Sequence, residues 1–169
     1  ITTVLDLQHE YLPKNFSSDY LRRRKDDCRN VVDYSDKIIA ISDYTKQSLA
    51  DKYNANPDRM ETIYLAPQKV MSDTASLNLP DEYIFYPAAI WPHKNHRILI
   101  EAMSLLHSQF PNLHLVFSGS VKKNRKLKKE LYELAVSYDL KDKVHFFGRV
   151  LDENMPLIYR RAKVLVYPS

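Results

Sequence analysis

The sequence predicts an α/β fold built on parallel sheets, and three observations predict it. From Leu79 onward, short β-rich runs alternate with segments of helical period, the pattern of strands joined by crossover helices. The first third repeats this alternation less regularly. Between Pro67 and Pro80 lies a stretch with no periodicity and scattered Ser, Asp and Asn, which reads as a linker between two α/β units.

In chain order, Thr2 to Leu5 is a β-branched strand and Asp6 to Phe16 a polar loop. Asp19 to about Tyr34 is a charged helix, with Ser17 or Ser18 as its cap. Lys37 to Ile41 is a strand, Ser42 or Asp43 caps a helix running to about Tyr53, and Met60 to Leu65 is a third strand. Past the linker, Tyr83 to Tyr86 is a strand. A helix over His96 to Phe110 follows from the recurrence of Leu99, Met103, Leu106 and Phe110. His114 to Phe117 is the next strand, and Leu127, Leu131, Leu134 and Tyr138 mark the next helix. Val144 to Phe147, a short helix over Glu153 to Ala162, and a strand from Val164 to Tyr167 complete the series.

The 169 residues are 44% apolar and 27% charged, a composition that specifies a folded chain and excludes low-complexity or disordered classes. No apolar run approaches the ~18 residues of a membrane span. The single cysteine, Cys28, excludes an internal disulfide and fits a reducing, cytoplasmic setting. The chain opens inside one apolar stretch and closes just past another, the expectation for an excerpt of a longer polypeptide. A net charge of +4 is modest, but Arg22 to Lys25 and Lys122 to Lys129 gather basic residues. Such runs read either as solvated helix faces or as contacts for phosphate, nucleic acid or an anionic membrane surface. With no stacking platform or recognisable motif, nucleic acid is disfavoured.

Only two glycines occur, where an ordinary domain of this length has roughly a dozen. Gly119 and Gly148 each follow a strand, at the edge where open parallel sheets bind ligands. A glycine there admits a ligand to the backbone, or simply allows a tight turn. Lys94 sits at the amino end of a helix, against the dipole's preference, with Asn95 placed to cap it. That placement suits a bound anion; a solvated surface lysine is the plainer reading. The absence of Gly-x-Gly-x-x-Gly and Gly-x4-Gly-Lys-Ser/Thr disfavours dinucleotide oxidoreductases and P-loop enzymes. His93 and His96 have a spacing that metal ligands can use, but no cysteine or carboxylate stands beside them, so no metal and no cofactor are expected.

Tyr86-Pro-Ala-Ala-Ile-Trp-Pro-His-Lys-Asn-His96, Leu115-Val-Phe-Ser-Gly119, Val144-His-Phe-Phe-Gly-Arg-Val150 and Val164-Leu-Val-Tyr-Pro-Ser169 carry a resemblance. In this order and spacing they resemble the donor-binding half of the retaining glycosyltransferases of two-Rossmann, B-type architecture, the group 1 glycosyl transferases. Asp6-Leu-Gln-His-Glu10 with Pro13 and Phe16, Ile38-Ile-Ala-Ile-Ser42, and Ile63-Tyr-Leu-Ala-Pro67 resemble the preceding part of that family's amino-terminal domain. The resemblance implies that residues 1–66 are the carboxyl-terminal part of the acceptor-side domain and 67–80 the interdomain linker. Residues 81–169 would then be the front of the donor nucleotide-sugar domain. It implies transfer of a sugar from a nucleoside diphosphate sugar to an acceptor hydroxyl with retention, in glycan, lipopolysaccharide or glycolipid synthesis.

The same resemblance implies that Lys94 binds the donor diphosphate, with Asn95 beside it. Ala89 stands where the family often has an arginine, which leaves that contact missing or supplied by His93. Gly148, Arg149 and Val150, with Gly119, are implied at the nucleobase and ribose. Asp6 and His9 are implied on the acceptor side as catalytic candidates, although Leu5 stands where many relatives have a histidine, and His9 also reads as an ordinary loop residue. The family's later glutamate-containing donor motif is not in this sequence. The chain alone is therefore expected to be inactive, and a non-catalytic nucleotide-sugar-binding module is the alternative. Expected partners are the donor and a glycan or lipid-linked acceptor, in the cytoplasm or at the inner membrane face, with basic runs touching the membrane.

Overall fold

The computed structural model describes residues 1–66, 77–121 and 124–168. The chain separates into two compact units, Ile1–Gln68 and Lys69–Ser169. Residues 67–76 of the expected linker lie outside the described residues. Its described end belongs to the second unit, where Leu79 is buried beside Tyr83 and Phe85.

In the first unit β1 (Thr2–Val4), β2 (Ile38–Ala40) and β3 (Met60–Thr62) form a parallel sheet in the order β1-β2-β3. The segment expected as a loop contains α1 (Gln8–Tyr11) and a 3₁₀ turn over Pro13–Asn15. The residue at the cap position of α1, Leu7, has no capping side chain, and the Asp6 carboxylate accepts from the Gln8 amide instead. The periodicity of α1 is hidden because the residue it buries is His9, a polar one, held by long-range bonds. α2 (Ser18–Tyr34) begins at Ser17, whose hydroxyl accepts from the Tyr20 amide at 3.4 Å. α3 (Asp43–Tyr53) begins at Ser42, which accepts from the Thr45 amide at 3.1 Å, and ends at a left-handed Asn54. Val4, Leu7, Val32, Ile38, Leu49 and Met60 form the core between sheet and helices. β3 stops at Thr62 rather than Leu65, because Tyr64 and Leu65 are exposed.

In the second unit β4 (Glu82–Pro87), β5 (Leu113–Ser118), β6 (Val144–Gly148) and β7 (Val164–Leu165) form a parallel sheet ordered β6-β5-β4-β7. α4 (His96–Leu106) and α5 (Arg125–Ser137) pack on one face, α6 (Met155–Arg161) on the other. The period-two rule sorts the strands between faces. Ile84, Tyr86, Leu115 and Phe117 join the α4/α5 core, whereas Tyr83, Phe85 and Val116 join the α6 core. Both faces are apolar, as a parallel sheet covered on both sides requires. Tyr83 is wholly buried, and its hydroxyl donates to the Ile158 carbonyl at 2.6 Å, which satisfies the one polar atom it carries inward. α4 ends at Leu106 instead of Phe110, whose ring is exposed.

Candidate functional site

The order of strand addition switches at β4: the chain moves outward through β5 and β6 and then returns to place β7 on the other side of β4. In an open parallel sheet a crevice forms outside the carboxyl ends of the strands at such a switch point. The segments leaving that edge start at Ala88 after β4, Gly119 after β5 and Arg149 after β6. The hydroxyl of Tyr167, beyond β7, donates to the Pro87 carbonyl at 3.2 Å.

The segment after β4 turns through a 3₁₀ helix over Pro92–Lys94 into α4. Asn95 occupies the capping position but does not cap. Its backbone is left-handed, with φ 49° and ψ 42°, whereas a capping side chain reaches the first-turn amides from extended backbone. Among the described residues the amides at the start of α4 therefore have no capping side chain. Lys94 is half-buried, and among the described residues its ammonium has no ion pair or hydrogen bond. His93 is also half-buried; burial, and then the Lys94 charge, push its imidazole below the usual histidine range. The lowered pKa favours the neutral ring, which carries an N–H but no charge.

The two glycines have different reasons to be glycines. Gly119 has φ +146°, and a Cβ there would drive into the carbonyl of Ala88 and the nitrogen of Ala89. Its missing side chain makes room for the neighbouring loop. Gly148 ends β6 with φ +69°, and a Cβ there would meet nothing within 4 Å. The Gly119 amide donates to the Gly148 carbonyl at 2.6 Å, and both glycines line one small concavity with Ala88, Ile90 and Ser118. Arg149 is exposed, with no ion pair among the described residues. The side chain of Val150 packs into the α6 core, so it offers this edge its backbone alone.

Residues that sequence reasoning left aside hold the segment in place. His96 is 2% exposed, its Nε2 lies 3.3 Å from the Ala88 carbonyl, and burial lowers its pKa. The hydroxyl of Tyr86 donates to the Lys94 carbonyl at 2.9 Å, and Asn124 Nδ2 donates to the Ile90 carbonyl at 2.8 Å. The available signal was Tyr86 and His96 flanking the Lys94 segment; spacing alone paired His96 with His93 as metal ligands. No group of three or more His, Cys, Asp or Glu able to hold a metal is present among the described residues.

In the first unit Asp6 is exposed just past β1, its Oδ1 accepting from Arg24 at 2.6 Å and from the Gln8 amide at 2.9 Å. His9 does not face open space: it is 0% exposed, with both ring nitrogens engaged by Arg24 and Tyr53. The reason is its place on the inner face of α1, and burial lowers its pKa, with Arg24 adding to the effect. The basic run of α2 is offset internally, since Arg22 pairs with Asp19, Arg24 with Asp6 and Lys25 with Glu10. On α5, Lys126 and Lys129 pair with Glu130 and Glu133. Lys122 and Lys123 lie outside the described residues. Among the described residues no helix is long and apolar enough to cross a membrane.

The model of the family described as glycosyl transferases group 1 matches residues 69–169. The O-antigen chain mannosyltransferase RfbU of Salmonella typhimurium is 28% identical over 167 residues, covering 99% of this chain and 44% of that protein. The O-antigen chain mannosyltransferase B of Escherichia coli is 25% identical over 183 residues, covering 100% of this chain and 46% of that protein. The chain thus spans about half the length of the curated relatives it matches. Among solved structures, HepE of Anabaena in complex with UDP and glucose aligns with a TM-score of 0.71 at 18% identity, covering 93% of this chain and 43% of that one. WaaG, a glycosyltransferase involved in lipopolysaccharide biosynthesis, aligns with a TM-score of 0.73 at 15% identity, covering 99% and 50%. At such identities the likeness shows the fold, the parallel α/β sheets of B-type glycosyltransferases. With the family match spanning the unit that carries Lys94 and both glycines, the chain belongs to the glycosyl transferases group 1 family.

Proposed function

We propose that this chain takes part in transferring a hexosyl group from a nucleoside diphosphate sugar to an acceptor hydroxyl, with retention, in the synthesis of a cell-surface glycan. The observation that carries the reading is Lys94, a half-buried ammonium without a partner among the described residues, beside the uncapped start of α4. A cation and free first-turn amides converge on an anion. Mannose is the sugar we propose first, because RfbU and mannosyltransferase B are named for its transfer.

In the reaction the bond between the anomeric carbon and the diphosphate oxygen breaks, and the electron pair leaves with the diphosphate. The acceptor oxygen forms the new bond on the face from which the diphosphate departs, and its proton passes to the departing diphosphate oxygen. The cost lies in the charge developing on the leaving group, and a fixed cation and N–H dipoles lower it without reorganising. Lys94 serves that role with no metal required; the His93 N–H and the Asn95 backbone assist. The backbone around Gly119, Gly148, Arg149 and Val150 receives ribose and base, Gly148 offering the open approach. In the first unit, read as the end of the acceptor-side domain, Asp6 is the candidate for the acceptor. The acceptor we propose is a glycan or a lipid-linked glycan, and a cytoplasmic setting agrees with the free, buried thiol of Cys28.

Calorimetry with UDP, GDP and ADP tests the reading. Lys94→Ala should weaken binding by about 1.5–3 kcal/mol, the scale of a hydrogen bond to a charged group. Unchanged affinity would remove Lys94 from the site.

A further inference from the structure

The segment that presents Lys94 is pinned from beneath at both of its ends. At its start the Ala88 carbonyl meets His96 Nε2 at 3.3 Å, and at its finish the Lys94 carbonyl accepts from the Tyr86 hydroxyl at 2.9 Å. Both pins rise from the buried layer of the sheet: Tyr86 is 0% exposed on β4, and His96 is 2% exposed in the first turn of α4. The imidazole is packed against Tyr86 and Phe117, with ring centroids 4.9 and 5.0 Å away. A third attachment holds the middle, where the Ile90 amide donates to the Ser120 carbonyl at 3.1 Å and its carbonyl accepts from Asn124.

The chemistry of the two pins is unambiguous. A carbonyl only accepts, so His96 Nε2 carries the proton, and Nδ1, buried and unpartnered, is a bare lone pair. Tyr86 likewise spends its proton on Lys94. Packing alone does not call for the Tyr86 hydroxyl, because a phenylalanine fills the same ring space without it; at His96 a phenylalanine keeps an aromatic ring, adds some volume and lacks the donor. Phenylalanine would, however, leave the Ala88 or Lys94 carbonyl without its donor and the segment free to shift. A site that binds through one ammonium and helix amides tolerates displacements of only about 0.5 Å.

We propose that Tyr86 and His96 are positioning residues that clamp the two ends of the Ala88–Lys94 segment and so aim Lys94 at the donor diphosphate. The clamp rests on the reading of Lys94 given under Proposed function. It assigns His96 a donor role at Ala88 in place of the metal role its spacing with His93 admits.

The experiment compares His96→Gln, His96→Phe, Tyr86→Phe and Lys94→Ala by calorimetry with UDP, GDP, ADP and inorganic pyrophosphate, alongside thermal unfolding. Glutamine keeps an N–H near the position of Nε2 and loses the ring; phenylalanine keeps the ring and loses the donor. The clamp predicts that His96→Phe and Tyr86→Phe each weaken binding about tenfold, and that His96→Gln stays within about threefold of the unsubstituted chain. A packing role reverses the order, with His96→Phe binding normally and His96→Gln binding poorly, and that outcome overturns the proposal. Tyr86→Phe removes one oxygen and leaves its ring packing intact, so it carries the test alone where a His96 variant fails to fold. Wild-type affinity in Tyr86→Phe together with weakened binding in Lys94→Ala sinks the clamp and spares the diphosphate reading. No binding of any probe to the unsubstituted chain sinks both.

Discussion

His9 Nε2 lies 2.9 Å from the hydroxyl of Tyr53, and the bond directions along the chain from Arg24 through His9 and Tyr53 to Glu10 follow from its ends. Arg24 can only donate, so His9 Nδ1 accepts from its Nε at 3.2 Å, and the neutral ring carries its proton on Nε2. Tyr53 accepts that proton and donates its own to Glu10 Oε1 at 2.7 Å. Burial, and then the bond to Glu10, raise the pKa of Tyr53 far above the usual tyrosine range, which keeps the phenol protonated.

Tyr53→Phe should therefore destabilise the first unit by about 1–3 kcal/mol, because the buried His9 donor and the Glu10 carboxylate both lose the Tyr53 hydroxyl. Denaturant unfolding measures it. The acid limb should move as well. Burial works to raise the Glu10 pKa, but the bonds from Tyr53 and Lys25 outweigh it and the net shift is downward. The stability from a lowered carboxylate is present above its unfolded pKa and fades as pH falls through the folded one. The variant should lose part of that dependence near pH 4.

Arg24 and Asp6 share the shortest ion pair among the described residues of this unit, 2.6 Å, yet their substitution should not be symmetric. Asp6 is half exposed, so Asp6→Asn should cost less than about 1 kcal/mol, as exposed pairs do. Arg24→Met also strips the donor from buried His9 Nδ1, and should cost about 1–3 kcal/mol. Equal losses from the two would mean that the Arg24–His9 bond adds nothing. For function the order reverses if Asp6 meets the acceptor: Asp6→Asn should then reduce transfer most in a complete enzyme.

The strands and long helices were legible because burial writes itself into apolar spacing, as in Leu99, Met103 and Leu106 on α4, and because Ser17 and Ser42 stand at real caps. Helix α1 was not legible, since its buried residue is a histidine whose partners come from α2 and α3. At the site, Lys94 was readable from its position between strand and helix. The cap expected of Asn95 failed because its side chain could be read but its left-handed backbone could not. Gly119 and Gly148 looked equivalent along the chain. Only space distinguishes a glycine pressed against Ala88 from one facing nothing.

That distinction can be measured. Gly119→Ala should cost more than about 3 kcal/mol, because positive φ adds to a collision with backbone that cannot swing aside. Gly148→Ala has free space and should cost about 1–2 kcal/mol for left-handed backbone alone. Chemical denaturation would show the gap. If Gly148 lies where the base approaches, its alanine variant should also lose nucleotide affinity out of proportion to its small loss of stability.

Adjacent strands β5 and β6 bring His114 Nδ1 within 2.8 Å of His145 Nε2, with the rings stacked. One nitrogen donates and the other accepts, so the contact holds a single proton between those two atoms; a second one there gives two facing N–H groups that repel. Burial lowers both pKa values. Lys143 adds to the effect at each, while Asp142 opposes it at His145. The unfolded chain, with histidines near pKa 6.5, then binds protons that the folded chain refuses. Stability from the pair is complete above about pH 6.5 and falls as pH drops through the lowered folded values. His9, His93 and His96 are lowered too, so the whole chain should weaken on acidification. His145→Gln keeps an N–H for His114 and removes one titrating group, so the slope of stability against pH between 6.5 and 5 should decrease by up to about 1.4 kcal/mol per pH unit. Identical slopes for the variant and the unsubstituted chain would show that the pair takes up its proton as easily folded as unfolded.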